Sequence, residues 1–143
     1  MSPLRLEIVT AEQSVFSDDV DVVVAPGIEG ELGILPHHAP LLTILQPGEL
    51  RIKKQGEEIS MVLSGGFLEV MRNKVLILAD TAERADDIDL ERAEAAKRRA
   101  EEMLRTGETE TDRTRAEAAL RGALTRIRIA ERRRRRSSGS LRE

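Results

Sequence analysis

The stretch KVLILADTAERADDIDLERAEAAKRRAEEML, residues 74–104, decides the fold, because its period changes part-way. Up to Asp80 it reads as one short strand of Val, Ile and Leu closed by a polar residue. Beyond Asp80 it is rich in Ala, Glu, Arg and Lys, all strong helix formers. There Ile88, Ala93, Ala96, Ala100 and Met103–Leu104 recur three or four apart and so share one stripe of a helix. Asp86, Asp87 or Asp89 is placed to cap that helix or to sit at its positive end.

Toward the N-terminus the period is two. Leu4, Leu6 and Ile8 alternate with Arg5 and Glu7, and the runs VDVVVAP, ELRIKK, EISMVLS, GFLEVM and KVLILAD follow. The stretches SDD, PGIEG, QPGE, KQGE, SGG and MRNK read as turns between the runs. No helix-length periodic segment interrupts residues 1–80, so parallel βαβ units are not expected. Toward the C-terminus, Gly107 in RTGETETD ends the first helix, and Thr111 or Asp112 is placed to cap a second. Ala116, Leu120, Ala123–Leu124, Ile127 and Ala130 form its stripe. Facing stripes of small residues predict an antiparallel hairpin.

The expected fold is therefore α+β in two parts. Residues 1–84 form an antiparallel β-sandwich or barrel of about ten short strands. Residues 85–136 form a two-helix hairpin, and residues 137–143 a disordered tail. An alanine face buries little apolar area at about 25 cal/mol per Å². Such a hairpin can open at low cost while keeping its helices, which is a physical opening for a switch.

The net charge of −3 conceals an asymmetry. Residues 1–84 carry 7 Lys/Arg against 13 Asp/Glu, a balance of −6, and residues 85–143 carry 16 against 13, a balance of +3. The run Arg132–Arg136 concentrates the positive charge. With no cysteine, disulfides and thiolate metal sites are excluded. Only Phe16 and Phe67 are aromatic, which argues against a base-stacking nucleic-acid platform. No stretch approaches the ~20 apolar residues of a membrane span, and the N-terminus lacks a signal pattern, so a cytosolic location is expected.

The chain's two histidines, His37 and His38, stand between Pro36 and Pro40 in GELGILPHHAPLL. A zinc site takes three or four ligands, and Glu29 and Glu31 add oxygens in no known metal spacing, so no metal is expected. No GxSxG nucleophile motif accompanies them, so no catalytic residue is assigned. What remains is a solvated, proline-braced loop or a rigid loop presented for docking. The glycines of GIEGELG match neither GxxxxGK[ST] nor GxGxxG. SGGF, residues 64–67, reads as a turn or bulge. IDLERA, residues 88–93, sets Asp89 and Arg92 on one helix face. That pair is either an exposed ion pair or one edge of an anionic-ligand site completed by Arg99 and Arg126. From Arg113 to Arg142 eleven Arg stand against Glu117 and Glu131. They suit a solvated tail, a nucleic acid or an acidic protein surface.

Together, GELGILPHHAPLLT, LSGGFLEV, VLILADTAERADDID and IDLERA resemble the epsilon subunit of the bacterial F-type ATP synthase, the counterpart of the mitochondrial delta subunit. The resemblance runs from about Leu4 to Arg133. It implies a sandwich followed by a helical hairpin, in agreement with the periods. It also implies a non-catalytic subunit of the central rotor, peripheral at the cytoplasmic face of the membrane and attached to it indirectly through the complex. Its partners would be the gamma subunit, the c-subunit ring and the alpha/beta catalytic head, with no nucleic acid. Glu31 would face the c ring and His38 would lie toward gamma. The family usually has glycine where this chain has His37. The hairpin would inhibit ATP hydrolysis when extended, with Arg132, Arg133, Arg134, Arg135 and Arg136 meeting acidic segments of the head. Some members bind ATP through (I/L)DxxRA, which Ile88, Asp89, Arg92 and Ala93 match. Glu83, Arg99, Arg115 and Arg126 also fall where ATP-binding members carry like residues. Gly122 departs from them, with Arg121 as a possible substitute. ATP would be a regulatory ligand, and no cofactor is required. The alternative from another class is a small basic-tailed nucleic-acid or protein adaptor.

Overall fold

The computed structural model describes the backbone of residues 3–142 and the side chains of residues 3–135. The tail expected to be disordered, residues 137–143, lies outside the fully described residues. The chain separates into two compact units, Met1–Arg84 and Ala85–Glu143.

Ten strands build the first unit: β1 (Leu4–Val9), β2 (Ser14–Val20), β3 (Val22–Gly27), β4 (Gly30–Ile34), β5 (Leu41–Leu45), β6 (Gly48–Lys54), β7 (Glu57–Leu63), β8 (Gly66–Met71), β9 (Lys74–Ala79) and β10 (Ala82–Arg84). They run in the order β10-β7-β6-β3-β5-β8-β9-β1-β2, with β4 paired to β3. The edge strand β2 comes back to β6. Asp21 N donates to Lys53 O at 2.8 Å, Gln55 N donates to Asp21 Oδ2 at 2.9 Å, and the Lys54 ammonium meets Asp18. The sheet is thereby almost closed, which satisfies most strand edges.

Two details differ from the sequence reading. All pairings are antiparallel except β1 with β9, which is parallel and sets Leu6 beside Val75 and Ile8 beside Ile77. Ser17-Asp18-Asp19 is not a turn but part of β2, where Asp19 is opposite Arg5 and bonded to it. The cross-strand cation overrides the turn preference of paired aspartates. The chain instead breaks at Asp21, between β2 and β3.

Alternation fills the core. Leu4, Leu6 and Ile8 of β1, Leu50 and Ile52 of β6, Leu68 and Val70 of β8, and Val75 and Ile77 of β9 are all buried in one cluster. The tight turns use left-handed residues: Gln55–Gly56 between β6 and β7, and Arg72–Asn73 between β8 and β9. Two consecutive positive φ values are what a twisted two-residue hairpin requires.

In the second unit a 3-10 turn, Ala85–Asp87, leads to helix α1 (Leu90–Thr106) and helix α2 (Glu110–Arg142). Asp89 is the α1 cap, accepting from Arg92 N at 3.2 Å. Gly107 closes the helix by donating to Met103 O at 2.7 Å. The cap of α2 is Thr109, whose Oγ1 accepts from Asp112 N at 3.0 Å, rather than Thr111 or Asp112. A cap bonds the amide three residues on, so a cap at 109 leaves 111 and 112 inside the first turn. The buried stripe is mostly alanine: Ala93 and Ala100 from α1, and Ala116, Ala123 and Ala130 from α2, with Ile88 and Ile127. Ile129 is also buried, whereas Met103 and Leu124 are exposed.

Candidate functional site

The loop carrying the histidines joins β4 to β5. His38 N donates to Leu35 O at 3.2 Å, closing a four-residue turn with Pro36 second and His37 third. His37 has φ 67°, so this is the type II pattern, whose third position favours glycine. Histidine thus stands at a position with a backbone reason for glycine. The loop is held from outside: Asn73 Oδ1 accepts from His37 N at 2.7 Å, and Asn73 Nδ2 donates to Pro3 O at 3.1 Å. The His38 ring bonds through Nδ1 to Ala39 O at 2.7 Å. A carbonyl only accepts, so Nδ1 carries the proton in this contact, and in the neutral ring Nε2 is left as an acceptor.

Glu31 lies on β4 opposite Pro26, and its carboxylate pairs with Arg51 of β6 at 3.0 Å. The guanidinium holds Glu31 at the surface, where its side chain keeps more than half its exposure. Glu31 and His38 therefore stand on separate segments, a strand and a turn, each fixed by a bond from a neighbouring element. Among the described residues no group of three or more His, Asp or Glu is placed to hold a metal.

A further feature is an apolar outer face on β5, β8 and β9. Phe67 lies between Ile44 and Leu78 in register, and Leu42 follows on β5. Leu42 is 72 % exposed, Phe67 53 % and Leu78 50 %. Large apolar side chains grouped on a surface mark a contact site more often than scattered ones do. Their sequence signal is a strand apolar on both faces, as in LLTIL and KVLILA, where strict alternation would have left one face polar.

In the hairpin, IDLERA divides its residues between two tasks. Ile88 and Ala93 are buried, Asp89 caps α1, and Arg92 extends into solvent with its side chain 87 % exposed and Nε 3.7 Å from Asp89. Arg99 and Arg115 are exposed and Arg126 is half-buried. Glu83 belongs to the other unit, on β10 opposite Val62. Of the arginine run, Arg133 is engaged with Asp86 at 2.9 Å, which ties α2 to the 3-10 turn before α1. Arg132 is half-buried, Arg134 and Arg135 are exposed, and the side chain of Arg136 lies outside the described residues. Asn73, Arg51 and the Asp86–Arg133 pair were not singled out from the sequence. Each acts across 20 or more positions of chain, and no local pattern announces such a partner.

Asp18, on β2, titrates below the ordinary carboxylate value. The hydrogen-bonded Lys54 ammonium holds its carboxyl below the ordinary 3.8, assisted by the Asp19 amide.

Comparison with known proteins follows the same division of the chain. Residues 3–85 match the beta-sandwich domain of the ATP synthase delta/epsilon chain, and residues 86–131 match its long alpha-helix domain. The ATP synthase epsilon chain of Dehalococcoides mccartyi strain BAV1 is 57 % identical over 142 residues, covering 94 % of this chain and 96 % of the relative. That of Herpetosiphon aurantiacus is 55 % identical over 134 residues, with coverage of 94 % and 98 %. Among solved structures, a chain of the Euglena gracilis mitochondrial ATP synthase, OSCP/F1/c-ring, superimposes with a TM-score of 0.74 at 26 % identity, covering 84 % of this chain and 76 % of that one. A chain of the Tetrahymena thermophila central stalk and c ring has the same fold, with a TM-score of 0.60 at 16 % identity and coverage of 90 % and 97 %. With both units matched in order and relatives above half identity over nearly full length, the chain belongs to the epsilon-chain family of the ATP synthase.

Proposed function

We propose that this subunit couples the rotor to the catalytic head through its sandwich and brakes ATP hydrolysis through its helices. The Euglena neighbour is part of an assembly of F1 and c ring, which supports the same setting here. Within it, the gamma subunit takes the His38 turn and the apolar face of β5, β8 and β9, and the c-subunit ring takes Glu31. The place is peripheral, at the cytoplasmic face of the bacterial membrane; no described helix is long and apolar enough to cross one. The adaptor reading gives way to the family assignment.

The observation that carries the brake is the alanine-lined interior of the hairpin. Ala93, Ala100, Ala116, Ala123 and Ala130 bury few methylenes between the helices, so separating them exposes little apolar surface. Each helix keeps its own backbone hydrogen bonds on opening. The acidic segments of the alpha/beta head then meet Arg134, Arg135 and their neighbours, whose long stems also cover apolar surface. Deleting the residues after Arg84 should raise ATP hydrolysis by the reconstituted head. Unchanged turnover would reject the brake.

ATP is proposed as a regulatory ligand of the folded hairpin, drawn to Arg92, Arg99, Arg115 and Arg126, with Ile88, Asp89 and Ala93 shaping the site. A ligand that binds only the folded form shifts the population toward it. The thermal midpoint of the isolated subunit should rise with millimolar ATP. No rise, or an equal rise in Arg92→Ala, would remove ATP from the mechanism.

A further inference from the structure

We infer that Asn73 is a positioning residue that presets the His38 turn for its partner. The inference rests on the docking role proposed above for that turn. A histidine with φ 67° is held in a backbone region that L side chains rarely adopt, so a bond that fixes this conformation adds to the order of the loop. The turn's own bond, His38 N to Leu35 O at 3.2 Å, is long. The shorter bond reaches outside the loop, where His37 N donates to Asn73 Oδ1 at 2.7 Å.

Asn73 can supply it because its own position is fixed three ways. It stands at φ 63° in the two-residue turn between β8 and β9, its Nδ2 donates to Pro3 O at 3.1 Å, and its backbone oxygen accepts from Arg5 N at 3.0 Å. One side chain thus joins the N-terminal segment, the β8–β9 turn and the histidine turn. Asparagine suits the place twice, since it tolerates the left-handed conformation and offers a donor and an acceptor on one amide. With His37 held, His38 follows in a single orientation, its Nδ1 spent on Ala39 O. With the ring neutral, the surface offered to a partner is an oriented acceptor, Nε2, and the partner group it fits is a hydrogen-bond donor. A loop ordered beforehand spares the complex the entropy of ordering it.

The experiment uses the full chain and purified gamma subunit. Asn73→Gly keeps the left-handed turn and removes the side-chain bonds to His37 and Pro3. It should abolish the exchange protection of the His37 amide and weaken gamma binding about fivefold, the size of one exposed hydrogen bond. Asn73→Asp keeps the acceptor and should retain the His37 protection. His37→Gly, which keeps the amide donor, should bind gamma within about twofold of wild type. An unchanged His37 exchange rate in Asn73→Gly overturns the inference. So does a freed amide with unchanged affinity, since the bond would then be structural only. Failure of the docking reading itself looks different: the wild-type chain would not bind gamma, or His38→Ala would bind as well as wild type.

Discussion

Gly66 opens β8 at φ 145°, and a Cβ added there would lie 2.1 Å from Leu78 O and 2.9 Å from Ala79 Cα. Both atoms are backbone of β9, the strand that pairs with β8 from Gly66 to Met71. No side-chain rotation relieves such a contact, so the two strands must part locally. Gly66→Ala combines strain from the positive φ with overpacking, about 3–5 kcal/mol together. Small domains have about 5–15 kcal/mol in total, so the loss is a large share. Gly65→Ala is the control. It also has a positive φ, of 118°, but its nearest neighbour would be Asp80 Oδ2 at 3.5 Å, an ordinary contact. It carries the conformational cost without the clash, about 1–2 kcal/mol. The chain has no Trp or Tyr, so urea unfolding is best followed by the dispersed amide resonances of the sandwich. Equal losses for the two variants, or a Gly66→Ala variant within about 1 kcal/mol of wild type, would refute the assignment of close backbone approach at Gly66.

Gly122 is the opposite case: a Cβ there meets nothing within 4 Å, so Gly122→Ala should stabilise α2 by up to about 1 kcal/mol, read as a higher helix melting midpoint by circular dichroism. A lower midpoint would mean the glycine is needed for packing. Arg133→Ala should loosen the hairpin by about 0.2–1 kcal/mol, since Asp86 is exposed and Arg133 only half-buried, and a double-mutant cycle with Asp86→Ala should show coupling that fades with salt. Coupling that salt leaves unchanged would contradict a solvent-screened pair. Asp18 titrates below its ordinary value when folded, so its contribution is full above 3.8 and is lost as pH falls from there through the depressed value. Lys54→Met should flatten that acid limb of stability; an identical pH profile would exclude the Lys54–Asp18 pair as its source.

Much of the fold was legible because it rests on local regularities. Alternation in LRLEIV and ELRIKK marked inward Leu4, Leu6, Ile8, Leu50 and Ile52, and the glycines of KQGE and SGG marked turns that need positive φ. Local chemistry also misled where a distant partner outweighed it. Ser17-Asp18-Asp19 has turn composition, yet Arg5 and Lys54 hold it in a strand. The parallel pairing of β1 with β9 joins segments some 70 residues apart, and no periodicity encodes it. The site shows the same division. His38 and Glu31 are visible as residues, but what fixes them, Asn73 and Arg51, depends on tertiary register.

The IDLERA segment makes the consequence concrete. Matching a ligand motif and forming a helix start are overlapping demands, and Asp89 meets the second whether or not ATP binds. Its carboxylate accepts from Arg92 N, so Asp89→Ala should cost about 1 kcal/mol of helix stability without any nucleotide present. A loss of ATP response in that variant would therefore say little about recognition. Arg92 is different: its backbone N–H makes the cap bond, while its side chain reaches into solvent and has only the loose 3.7 Å approach to Asp89. Arg92→Ala preserves the cap amide and a good helix former, and removes the guanidinium alone. It should leave the stability without ATP within about 0.5 kcal/mol of wild type and abolish the rise of the melting midpoint with ATP. If the apo midpoint falls as far as in Asp89→Ala, the arginine is part of the helix start, and the motif in this chain is explained by capping rather than by a nucleotide.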